Sequence, residues 1–255
     1  MTRLLGLFGL QVKRQILGWS GSWWFIVALA AGQLLAPLIG MAVWMTVFPD
    51  SSRVSTYYLA LLFTVATTAS YENHIFSQSI YRGTLSERLV EPQPVVLAPL
   101  AENTAIRVWI TMFALPVVAL VALATRVSTD LGSLSQAAPL WLGAGMLRFL
   151  FTWCLAMSAF WSERVHAITG FGTTLTFLLG GNAVPISFLP PDLTSVLRYL
   201  PFYSMVGLPA DTSAGIPPTQ VFRGALVQLA WLGLMGGLAV LLWRRGLRRY
   251  TSAGG

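Results

Sequence analysis

Six stretches of this chain are each apolar over about 20 residues, the length an α-helix needs to cross a bilayer. They lie near Trp23–Val47, Val54–Tyr71, Arg107–Thr125, Ala137–Trp161, Ala167–Phe188 and Gly224–Trp243. Only 10% of the 255 residues are charged, where soluble domains carry about a quarter. The chain therefore reads as an all-α integral membrane protein, a single domain over residues 1–255 with six transmembrane helices. A formal charge of +7 is no nucleic-acid footprint here, because the basic residues flank the apolar segments instead of forming a stripe on a soluble domain.

An even number of crossings puts both termini on one side, and the basic residues say which. With the termini inside, Arg3, Lys13, Arg14, Arg82, Arg88, Arg107, Arg164, Arg244, Arg245, Arg248 and Arg249 are cytoplasmic. Arg53, Arg126, Arg198 and Arg223 fall outside, and Arg148 lies within the fourth segment. Eleven against four satisfies the positive-inside rule. Residues 1–20 then form an interfacial helix on the inner leaflet. Leu4, Phe8, Val12 and Ile16 make an i,i+4 stripe opposed by Arg3, Gln11 and Arg14. Lys13 and Arg14 interrupt the apolar run, which argues against a secretory signal. Trp19, Trp23, Trp24 and Trp161 sit where an inner aromatic belt belongs, and Trp44 where an outer one does.

Two connections carry structure of their own. The cytoplasmic loop 72–106 is centred on Tyr81-Arg82-Gly83-Thr84-Leu85-Ser86-Glu87-Arg88-Leu89-Val90-Glu91-Pro92. Thr84 and Glu87 have capping-box spacing, Gly83 lets the chain turn in, and Pro92 keeps the helix from running on. Leu85 and Leu89 form a small apolar face at i,i+4. Such a segment is a rigid handle on which a cytoplasmic partner can push or pull. The outer connection 185–219 holds seven of the fourteen prolines. Within it Asp192 is placed to cap a short helix whose Leu193, Val196, Leu197 and Leu200 share one face.

This layout resembles the permease subunits of ABC-2-type exporters, in particular the subgroup in which two different permeases accompany one ATPase. The resemblance spans nearly the whole chain. It rests on Gly83-x-Leu85 with Leu89-Val90-Glu91-Pro92, and on Gly180-Gly181, Pro185, Phe188-Leu189-Pro190, Leu200-Pro201-Phe202 and Pro209. A departure is Glu91, where relatives often carry a basic residue. The resemblance implies that the 72–106 loop carries a coupling helix seated on an ATPase subunit, with Arg82, Gly83, Leu85, Glu87, Arg88, Leu89 and Pro92 as the contact set. Leu85 and Leu89 would be its apolar anchors, Glu87 and Arg88 its charged rim. It further implies export across a bacterial cytoplasmic membrane, a second permease (the same chain or a paralogue), and ATP and Mg bound on the partner ATPase. Spans one, two and five would border the seam between permeases, which makes Gln33, Thr173, Thr176 and Asn182 candidate pathway residues.

Missing motifs fit that division of labour. The single lysine, Lys13, follows Val12, so the chain has no P-loop. It has neither a G-x-S-x-G elbow nor an H-E-x-x-H helix. The lone Cys154 and the separated His74 and His166 give no metal motif. No catalytic residue, metal or cofactor is expected on this chain. Arg148 is the costliest side chain, at roughly 2.5–3.5 kcal/mol for a mid-membrane arginine. It calls for an anionic lipid, an anionic substrate, a carbonyl-rich helix break or a charge on the second permease, or else snorkels. Glu72 and Glu163 lie near inner span ends instead of at its depth. Two other readings compete: an ion-gradient-driven secondary transporter, which wants acidic residues at the midplane, and a membrane scaffold, which leaves the punctuated loop unexplained. An intramembrane enzyme would need a convergent catalytic set that is not visible.

Overall fold

The computed structural model describes residues 2–48, 52–127, 130–162 and 164–250, and the side chains at 2, 3 and 72–75 lie outside the description. The side chains of Arg3, Glu72 and His74, and the whole of Glu163, thus lie outside the described residues. The described residues fold into helices α1 (Thr2–Ser20), α2 (Trp23–Val47), α3 (Ser52–Thr68), α4 (Glu72–Tyr81), α5 (Leu85–Leu89), α6 (Leu97–Thr125), α7 (Leu131–Met157), α8 (Val165–Leu179), α9 (Pro191–Leu197), α10 (Pro201–Met205), α11 (Gly207–Ser213) and α12 (Pro218–Leu247).

Among the described residues, four stretches are long and apolar enough to cross a membrane: Trp23–Val47, Leu97–Thr125, Leu131–Phe160 and Pro218–Leu247. The other two expected crossings are shorter than their sequence segments. α3 has 17 residues and α8 has 15, or about 26 and 22 Å of helix against a hydrocarbon core of about 30 Å. Both stop because the chain breaks, at Ala69–Tyr71 and at Gly180–Gly181.

α3 is the hub. Val54, Tyr58, Leu61 and Leu62 are fully buried, and α2, α6, α7 and α11 pack around it. A helix enclosed by protein instead of lipid can carry Tyr57, Tyr58, Thr64 and Thr68, which explains its weak hydropathy. Lipid-type surface lies on the outer helices, where Leu35, Ile39, Leu120, Leu123, Phe222 and Leu229 are exposed. α6 begins ten residues before the expected Arg107, which moves Arg107 from the flank into the helix body. The charge count still favours the same side.

α1 packs along α6. Its inward face includes Phe8, Gln11, Val12 and Ile16, so Gln11 is not on the polar face that the stripe suggested. Gln11 instead donates to Gln93 Oε1 at 2.8 Å, and Trp109 Nε1 donates to the Ile16 carbonyl at 3.1 Å. Leu5, Leu10 and Leu17 remain exposed.

The outer connection departs most from expectation. α9 forms, but Pro190 caps it and Asp192 lies in its first turn. Leu193 and Val196 are exposed, whereas Leu197 packs inward. α10 and α11 then dive into the bundle as a hairpin against α3, α7 and α12, with Met205, Val206 and Ala210 fully buried. Gln228 of α12 fastens it, its Nε2 donating to Ser204 O at 2.8 Å and to Leu140 O at 3.1 Å. Gly143 makes room for that side chain: a Cβ there would lie 2.3 Å from Gln228 Oε1.

Candidate functional site

Two helix breaks border one cavity inside the bundle. At the first, α3 ends at Thr68, which leaves its last carbonyls without intrahelical donors and exposes the negative end of its dipole. Arg107 serves this end, with Nε donating to Ala69 O and Nη2 to Gly145 O, both at 2.7 Å. Arg148 Nη1 donates to Thr68 Oγ1 at 2.9 Å. Asn103 Nδ2 donates to Ser70 Oγ at 2.9 Å, and Ser70 shares a 2.7 Å bond with Thr152. Arg107 takes the carbonyl at this break, whereas the Arg148 bond is to a side-chain hydroxyl.

At the second break Gly181 adopts φ +93°, a conformation open to glycine at little cost. A Cβ there would lie 2.4 Å from the Tyr57 hydroxyl. Tyr57 O–H donates to Gly181 O at 2.8 Å, and Tyr58 O–H and Trp44 Nε1 reach Ala183 O at 3.3 and 3.2 Å. Trp44 is thus a donor to broken backbone and not only a residue of an aromatic belt.

A cavity of about 300 Å³ lies between the breaks, and Gln33, Arg148, Thr173, Thr176 and Asn182 all line it, with Tyr71, Ser70 and Thr152. Gln33 Nε2 donates to the Tyr71 hydroxyl at 2.9 Å, which leaves the phenol proton for another acceptor. Pro37, also in the wall, has no N–H to offer the Gln33 carbonyl four residues back. Thr173 and Thr176 spend their protons on Gly170 O and Gly172 O, so they present acceptor lone pairs. The cavity is therefore donor-rich on the Arg148–Tyr71 side and acceptor-rich along α8. That suits a polar group carrying acceptors or negative charge at one end. Gly32, Thr173 and Phe177 are exposed at its rim.

Sequence reasoning missed Arg107, Ser70, Tyr71 and Asn103. One signal was available, since Asn103 and Arg107 stand at i,i+4 in a stretch that runs apolar beyond Arg107.

The handle lies at the other end of α4. α5 forms with Gly83 at φ +75° before it, but the capping box does not. Thr84 makes no cap bond, and its hydroxyl reaches Ser79 O at 3.4 Å. The helix is held instead from below. Leu85 is fully buried with Phe76, Ile80, Trp153 and Met157. The Phe76 and Trp153 rings stack with centroids 4.1 Å apart. Tyr250 O–H donates to Gly83 O at 2.8 Å, and the Tyr250 hydroxyl oxygen accepts from Ser86 N at 3.2 Å. Leu85 is thus an internal anchor and not a docking surface. Arg88 also turns inward, its Nη1 buried without an acceptor and the side chain within electrostatic reach of Glu102. Arg82, Glu87, Leu89 and Pro92 stay exposed, with Val90 at 84% the barest apolar residue there.

A helical membrane bundle with a polar cavity between broken helices, and a short helix clamped to one end, is the form of a transporter membrane subunit. The chain belongs to the ABC-2 transporter family: the family model described as "ABC-2 family transporter protein" matches residues 34–254. It is a membrane component of such a transporter and not the catalytic ATPase, which membership assigns to partner subunits. The match begins within α2 and leaves α1 outside it. Comparison with curated proteins gave no match.

Proposed function

We propose that this chain is the permease half of an ATP-driven exporter in a bacterial cytoplasmic membrane. α3 and α8 complete six crossings, and both termini and α5 face the cytoplasm. ATP and Mg are bound by ATPase subunits that dock on the exposed tip of α5. The contact surface is Arg82, Glu87, Leu89 and Pro92 with Val90 and Glu91. Gly83 shapes this tip, while Leu85 and Arg88 hold it to the bundle.

The observation that carries this reading is the mechanical continuity of α5. Leu85, the Phe76–Trp153 stack and the Tyr250 clamp tie it to α7 and α12. α4, ten residues or about 15 Å long, leads from it to the Ala69–Tyr71 break beside the cavity. A push on α5 would therefore reach the cavity wall as a rigid displacement. A second permease, this chain or a paralogue, covers the open rim, where Thr173 and Thr174 are exposed on α8. Polar groups on a lipid-facing helix gain from such a partner. Gln33, Arg148, Thr173, Thr176 and Asn182 then line the pathway.

The test is co-purification with a candidate ABC ATPase subunit, comparing wild type with Leu89→Glu/Val90→Glu. Both side chains are exposed, so the variant should insert and fold as wild type does while losing the ATPase by at least tenfold. A variant that retains the ATPase would move docking elsewhere. Transport that persists without any ATPase and collapses in Asp211→Asn would point instead to an ion-gradient mechanism, since Asp211 is a buried carboxyl.

A further inference from the structure

At the end of the bundle opposite α5, three of the four arginines of that end line adjoining cavities. One, of about 250 Å³, is lined by Arg198, Arg223, Gln220 and Ser195. The other, of about 650 Å³, is lined by Arg53, Arg198, Gln220, Ser52 and Ser187. Arg198 and Gln220 belong to both, so the cavities form one cleft between the starts of α3 and α12 and the end of α9.

Among the described residues, the charges lining this cleft do not balance. Like charges in one cleft repel, and net positive potential persists unless an anion answers it. Asp211 lies within electrostatic reach of Arg198 and Arg53, but it is 2% exposed and its Oδ2 already accepts the Tyr203 hydroxyl at 2.8 Å. Arg198 is the more telling residue. Its Nε is buried and finds no acceptor among the described residues, which leaves a charged N–H in the wall of a cavity without a partner there. Guanidinium groups match oxyanions through paired N–H donors. The first-turn residues Ser52, Arg53 and Gln220 add the positive ends of α3 and α12 to the same space.

We propose that this cleft is a binding site for a phosphate-type oxyanion, with Arg198 as its central ligand and Arg53 and Arg223 as its flanks. The same chemistry is offered by the headgroup of an anionic phospholipid and by a soluble phosphate. The site is distinct from the central cavity and does not depend on ATPase docking.

The experiment measures thermal unfolding of the purified chain in detergent, with phosphatidylglycerol or inorganic phosphate titrated separately. The variants are Arg198→Gln and Arg53→Gln/Arg223→Gln, with Arg126→Gln, the fourth arginine of this end, as the control. Wild type and Arg126→Gln should show a saturable rise in unfolding temperature. The half-saturating concentration should increase at least tenfold in Arg198→Gln and severalfold in the double variant. A response to phosphatidylglycerol alone identifies a lipid site, and an equal response to phosphate identifies a soluble ligand. Either supports the proposal. No saturable response to either anion, a response unchanged in Arg198→Gln, or one lost equally in Arg126→Gln overturns it.

Discussion

α5 and the α10–α11 hairpin are both short helical pieces placed between long helices, yet they are stabilised in opposite ways. α5 lies at a surface, with Leu85 alone fully sunk and Leu89 and Val90 bare. Aromatic packing beneath it and one tyrosine hydroxyl hold it. The hairpin lies inside, buried along its whole length from Gly207 to Ser213. Burial there encloses polar groups as well as apolar ones, and pairing stabilises most of them, the Ser204 hydroxyl being an exception. Asp211 takes the Tyr203 hydroxyl, and Thr212 and Ser213 donate to Leu208 O and Pro209 O. An element meant to be gripped needs one anchor and a free face. An element that plugs a bundle needs partners on most of its polar groups.

The largest effect that would test this contrast is at Leu85. Leu85→Ala should cost about 2–5 kcal/mol, the range for emptying a fully buried leucine site, read as a drop in thermal unfolding temperature. A change as small as that of an exposed residue would mean that α5 is not anchored as described.

Next comes Asp211. Burial, the leading cause, pushes its carboxyl up from 3.8 to about 6, against the Tyr203 bond and the charges of Arg198 and Arg53. A raised carboxyl is protonated more readily in the folded state. The stability it contributes is thus complete below about pH 4 and is lost as pH rises through about 6. Asp211→Asn should flatten that part of the pH–stability curve and stabilise the chain at neutral pH, by at most on the order of 3 kcal/mol. An unchanged pH profile would remove Asp211 as the titrating group.

Tyr250→Phe should cost about 1 kcal/mol, the scale of the hydrogen bonds it loses, with faster amide exchange confined to α5. Equal protection of α5 in wild type and variant would rule out the clamp. The smallest effect is expected at Thr84, where no cap bond forms. Thr84→Ala should change stability by less than about 0.5 kcal/mol, against the ~1 kcal/mol of a working N-cap.

Legibility follows the same division. α5 was readable because glycine and proline act locally: Gly83 takes a positive φ and Pro92 lies beyond the helix end whatever surrounds them. The capping box was read from spacing alone, and it failed because Thr84 and Glu87 had to adopt a geometry that the Leu85 anchor did not require. The hairpin was hidden because the local signals of the 185–219 connection are its prolines and one short helix, and only partners distant in sequence make the burial of Asp211 tolerable. The five pathway candidates follow from residue type and resemblance, and the fold places all of them around one cavity. Arg107 escaped because its acceptors, Ala69 O and Gly145 O, stand 38 residues away on either side.

The sequence by itself determined the long apolar helices, the charge asymmetry between the two ends and the punctuation around α5. Each of these depends on transfer of side chains into lipid or on backbone preferences within a few residues. The tertiary structure alone decided where α3 and α8 break, which arginine finds carbonyls and which faces a cavity, and that a proline-rich connection turns inward. Those outcomes depend on hydrogen-bond partners supplied across the bundle, and a broken or polar segment can stay buried only where such partners arrive.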